Sequence, residues 1–218
     1  MIEDRDSTRS LGPNWKALFH GAVRQSLAAI NCVARIGIQQ TNVWERPFSY
    51  LSDDNQGNVG LVSFATDGAV VVMSARAPER EFNVDGAVVE APPRWQSELV
   101  RLSKLPLFQE GCGVSGLLWT VRDHLEAPQG RDDVKAAALD MFELELLDDA
   151  TWSRAGARFF GMSPEMARYV VALASRAAIV PPILTLSALD VETLLGAKRE
   201  HEVEALDLLH CHGLFALV

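Results

Sequence analysis

Only three of the 218 residues are cysteine, and Cys32, Cys112 and Cys211 lie far apart. An odd, scattered set excludes a disulfide framework and fits reduced thiols. No apolar run approaches the roughly 18 residues that a membrane-spanning helix requires. The first ten residues, MIEDRDSTRS, lack the basic start and apolar stretch of a secretory signal. Positive charge is scarce as well, with 20 Lys and Arg against 29 Asp and Glu and a net charge of −9. Nucleic-acid backbones repel such a chain unless its few cations cluster. We therefore expect a soluble cytoplasmic protein with no membrane and no nucleic-acid partner. Arginine outnumbers lysine sixteen to four, which is compatible with a GC-rich bacterial genome.

Hydrophobic residues make up 48% of the chain, enough to bury a sizeable core. Residues 1–12 read as a tail. Pro13 then opens a helix in which Trp15, Leu18, Phe19, Ala22, Val23, Leu27, Ile30 and Ala34 recur at helical spacing, and Gly37 is its natural stop. Two β-branched runs, 59–65 and 69–75, flank Thr66-Asp67-Gly68, and Asp-Gly is a hairpin signal. The segments 42–50 and 82–90 are expected to add strands, making 41–90 an antiparallel meander closed by Pro92-Pro93. Beyond it the pattern is helical. Trp95, Leu99, Leu102 and Leu105 share a face, 117–125 reads as a short helix, and Asp132 caps another running to about Leu147. Ser163-Pro164 is an N-cap with proline at the first helical position. The apolar stretch 164–179 reads as a central helix. Ser187 to Leu195 and Arg199 to Leu209 complete the set.

Glu110-Gly-Cys-Gly-Val-Ser-Gly116 contains G-x-G-x-x-G. A dinucleotide fingerprint needs a buried strand before it, a helix after it and an acidic residue at the end of a second strand about 20 positions on. Leu105-Pro-Leu-Phe-Gln-Glu110 is no such strand, and Asp132-Asp133 begins a helix. The stretch is expected to be a glycine-rich loop. Within it Ser115 and Cys112 are candidate nucleophiles, with His124 and His20 as distant bases. His201, His210, Cys211 and His212 invite a metal reading, but adjacent helical residues point about 100° apart. No metal and no cofactor is expected. Arg154 to Tyr169 looks like a helix-turn-helix, with Arg154, Arg158, Arg168 and Arg176 as the cations of a DNA-binding reading. Its second helix, Met-Ala-Arg-Tyr-Val-Val-Ala-Leu-Ala, offers little to read base edges.

The acidity is uneven. Residues 1–110 carry 11 basic and 13 acidic side chains, and residues 111–218 carry 9 and 16. Asp132, Asp133, Asp140, Glu143, Glu145, Asp148 and Asp149 are interrupted only by Lys135. A solvated face is one reading of this run, and a docking surface for a basic protein is the other.

The expectation is an α+β protein in which an N-terminal helix and a small antiparallel sheet (13–92) precede a mainly helical half (93–218), with one continuous domain as the variant. The functional expectation is a binding or regulatory protein, immunity-like or adaptor-like, that docks a basic partner through Asp140, Glu143, Asp148 and Asp149. The alternatives are an enzyme with its site between the sheet and the helical half, and a helix-turn-helix regulator.

Overall fold

The computed structural model describes residues 12–37, 43–46, 48–53, 57–75, 81–109, 113–179, 183–196, 201–211 and 215–217. The tail expected at 1–12 lies outside them except for Gly12. The elements in chain order are α1 (Trp15–Ile36), β1 (Val43–Arg46), β2 (Ser49–Asp53), β3 (Val59–Ala65), β4 (Gly68–Ser74), α2 (Val84–Glu90), α3 (Pro93–Ser103), α4 (Pro106–Gln109), β5 (Gly116–Val121), β6 (His124–Glu126), α5 (Asp132–Met141), α6 (Glu143–Leu146), α7 (Asp149–Phe159), α8 (Pro164–Ala174), β7 (Leu184–Leu186), α9 (Ala188–Leu195), α10 (Glu202–Cys211) and β8 (Phe215–Leu217). The fold is α+β: an N-terminal helix, an antiparallel sheet and a mainly helical C-terminal half. The chain divides into two compact units, one of Met1–Ala17 with Leu51–Glu143 and one of Leu18–Tyr50 with Leu144–Val218.

In the first unit β3 to β6 form an antiparallel meander, hydrogen-bonded in chain order. The β3–β4 hairpin forms as expected, pairing Ala65 with Gly68 across Thr66-Asp67. The reason for its glycine differs from the expected one. Gly68 does not adopt positive φ; a Cβ there would strike the side chains of Thr120 and Trp95. β4 is buried along its whole length, because both sheet faces are covered. On one face Leu61, Val70, Val72, Leu117 and Trp119 form a core with Trp95, Leu99 and Leu102 of α3 and Ala87 and Val88 of α2. On the other, the close approach of Phe142 to Gly60 and of Val134 to Gly116 requires glycine in the strands.

Two expected elements change type. Residues 84–90 are not a strand but helix α2, started by Asn83, whose side chain accepts a hydrogen bond from the Gly86 amide. Residues 117–125 are not a helix but the β5–β6 hairpin. Its two-residue turn contains no glycine: Arg122 takes the left-handed conformation at φ 59. The sheet therefore continues beyond Pro92-Pro93, and Pro92 is the N-cap of α3. The helix expected from Asp132 to Leu147 is broken at Phe142 into α5 and α6.

In the second unit the roles of two helices are exchanged. α1 reads as amphipathic, yet every residue from Gly21 to Ala34 is buried. α8 reads as central, yet Pro164, Glu165, Arg168 and Ala172 are exposed and it ends at Ala174. The explanation is a polar stripe on α1. His20, Arg24, Asn31 and Arg35 fall on one helical face, and each meets backbone carbonyls near a helix end. His20 Nδ1 lies 3.3 Å from Ala174 O. Arg24 donates to Glu145 O and Leu147 O at 3.0 and 2.7 Å. Asn31 donates to Leu194 O at 2.6 Å. Arg35 donates to Phe160 O and Gly161 O at 2.6 and 2.8 Å. The last carbonyls of a helix lack partners within it, and the cations among these donors also complement the negative helix ends. Among the described residues no helix is long and apolar enough to cross a membrane.

Candidate functional site

The acidic run between Asp132 and Asp149 is mostly engaged by its own chain. Lys135 pairs with Asp132 at 2.9 Å and with Glu126 at 3.4 Å. Arg131 grips Asp133 through three contacts, and this hydrogen bonding holds the Asp133 carboxyl below its usual pKa. Glu145 is buried and accepts from the Tyr50 hydroxyl at 2.7 Å. Asp148 is the N-cap of α7, accepting from the Ala150 and Thr151 amides and from the Thr151 hydroxyl. Those bonds, the Thr151 amide foremost, lower its pKa. Asp149 pairs with Arg24 at 2.6 Å. Burial pushes the Arg24 guanidinium below its usual pKa and Asp149 pushes it back. Asp140 and Glu143 stand apart: both are exposed, and neither makes an ion pair among the described residues. The sequence hides this sorting, because Arg24 lies more than a hundred positions from the carboxylate it meets.

The candidate nucleophiles and bases do not converge. Gly111, Cys112 and Glu110 lie outside the described residues. Gly113–Gly116 leads into strand β5, not into a helix, which removes the dinucleotide geometry. Ser115 is tied to the start of β5, its amide and hydroxyl both donating to Met73 O. His124 sits opposite Val121 at the far end of the same strand, and its Nδ1 lies 3.0 Å from Gly12 O. Six extended residues at about 3.3 Å each separate the two ends by roughly 20 Å, too far for a catalytic pair. His20 belongs to the other unit and meets Ala174 O. His201 lies 3.8 Å from Glu204. His210 and Cys211 fall in α10, and His212 lies outside the described residues. No group of three His, Cys, Asp or Glu side chains suited to a metal occurs among the described residues.

A concave site does exist on the segment that resembles a helix-turn-helix. α7 and α8 form a helical hairpin whose turn holds Gly161 at φ 61. Ser163 caps α8 by accepting from the Met166 amide, and Pro164 opens it. Beneath the hairpin, Trp152, Phe160, Ala167, Val170 and Leu173 are buried. Its outer side carries a groove of about 690 Å³, lined by Asp149, Ala150, Ser153, Arg154 and Ala157 of α7 and by Pro164, Arg168 and Val171 of α8. From Ala150 onward the α7 positions follow an i, i+3, i+4, i+7 progression, so they share one face. Arg176, the fourth cation of the DNA-binding reading, is occupied by Asp190 and Thr185 O.

No family model matches the chain. Neither a curated protein nor a solved structure matches it.

Proposed function

We propose that the chain is a cytoplasmic binding protein, immunity-like or adaptor-like, whose acidic surface docks a basic protein partner. The observation that supports this reading is the exposure of Asp140 and Glu143, with no ion pair to either among the described residues, in a chain that matches most neighbouring acids internally. Charge left unmatched on a surface accelerates encounter with an opposite charge and rejects like-charged proteins. Asp148 and Asp149 have a supporting part, because helix capping and the Arg24 pair already occupy them.

The test is capture from native lysate with the tagged protein, in parallel with the double charge reversal D140K/E143K. A specific basic partner is expected with the wild type, weakened by added salt and lost with the reversal. A partner retained by the reversed protein overturns the proposal, as does recovery of none.

A further inference from the structure

The α7–α8 groove lies apart from Asp140 and Glu143 in sequence and carries charge of the opposite sign. Its volume of about 690 Å³ falls within the range of roughly 300–1,000 Å³ typical of small-ligand sites. Each helix contributes one guanidinium to the lining, Arg154 from α7 and Arg168 from α8. Both arginines are exposed, and both are loosely held. Arg154 donates to the Thr151 hydroxyl at 3.4 Å. Arg168 meets Glu165 at 3.3 Å in a pair whose side chains are 65% and 75% exposed, a kind of contact that contributes little. The one carboxylate in the lining, Asp149, is neutralised from behind by buried Arg24. Ser153 spends its hydroxyl on Asp149 O. What remains of the lining is apolar Ala150, Ala157, Pro164 and Val171, together with two available cations.

We propose that this groove binds a small amphiphilic carboxylate, with its head group on Arg154 and Arg168 and its apolar body on the alanine, proline and valine lining. Planar guanidinium donors match a carboxylate in geometry as well as in charge. The small side chains at 150 and 157 leave room for an aliphatic or aromatic body. A nucleic-acid strand is a poor fit, since two cations cannot neutralise a run of phosphates and Glu165 stands beside one of them.

The experiment is titration of the isotopically labelled full-length protein with octanoate, followed by amide chemical shifts, with octylammonium as the charge-reversed probe. Octanoate is expected to shift amides of residues 150–157 and 165–171 and octylammonium to leave them in place. R154Q and R168Q are each expected to weaken octanoate binding about tenfold, the scale of one charge-assisted hydrogen bond. Their thermal unfolding is expected to match the wild type, because both side chains are exposed. D140K/E143K is expected to bind octanoate unchanged, which separates this site from the proposed docking surface. Equal responses to the two probes, shifts centred elsewhere, or full binding by R154Q/R168Q would overturn the assignment. So would self-association through α7 and α8, detected by sedimentation and abolished by R154Q/R168Q.

Discussion

Asp190 shows how much one side chain can organise. It is buried at the start of α9, where it closes a capping box with Ser187. It also accepts from the Tyr169 hydroxyl at 2.6 Å and pairs with Arg176. Burial opposes its charge, but the donors prevail, and its pKa is lowered to about 2. An unfolded aspartate titrates near about 3.9. The folded value is depressed, so the stabilisation is complete well above pH 4 and is lost as pH falls from about 4 through 2. The difference of just under two pKa units amounts to about 2.5 kcal/mol. Asp190→Asn is therefore expected to be less stable than wild type by that amount at pH 6, with the gap closing by pH 2. Urea denaturation at several pH values checks this, and a gap that stays constant with pH would show that the carboxylate charge is not the source.

At the scale of elements, α1 decides the second unit, and its polar stripe decides α1. A helix buried on all sides is expected to be apolar all round; this one carries Arg24 and Asn31 at 4% and 2% exposure. They are tolerated because helix ends supply carbonyls that need donors. Arg24→Met keeps most of the packing volume and removes the donors to Glu145 O and Leu147 O. Leaving those carbonyls short of a partner is expected to cost about 2–4 kcal/mol. The urea midpoint should fall with the slope unchanged, and a loss under about 1 kcal/mol would mean that water replaces the guanidinium. Locally specified features were readable: the β3–β4 hairpin, the Ser163-Pro164 start of α8, the Ser187 start of α9 and the Gly37 stop of α1. α2 was missed because Val88-Val89 resembles a strand, and its one helix signal was Asn83 at the cap. β5 was missed because burial on both faces erases the alternation that marks a strand, and Arg122 stands where a turn glycine would announce the hairpin. The α7–α8 groove depends on how two helices pack, and no local pattern records that.

For the molecule as a whole, the chain path matters more than any composition boundary. Each compact unit draws on two separated stretches of sequence, so neither half of the chain owns a complete core. The break in composition at Pro92-Pro93 invites a cut there, but β4 and β5 lie on opposite sides of it and pair from Val70↔Trp119 to Met73↔Gly116. The Thr120 hydroxyl extends that pairing by donating to Ala69 O while accepting from the Ala69 amide. A fragment ending at residue 92 would expose the edge of β4 and the apolar face that α3 covers. A fragment starting at residue 93 would lose β4 and also the α1 donors that satisfy the ends of α6, α7 and α9. Buried polar groups without partners and uncovered strand edges both disfavour a folded state. Fragments 1–92 and 93–218, made separately, are each expected to show no cooperative thermal transition and collapsed amide dispersion. Mixed in equal amounts, they are expected to recover both, because every lost contact lies between them. Independent cooperative melting of fragment 93–218 would show instead that its helices bury enough surface among themselves to do without α1.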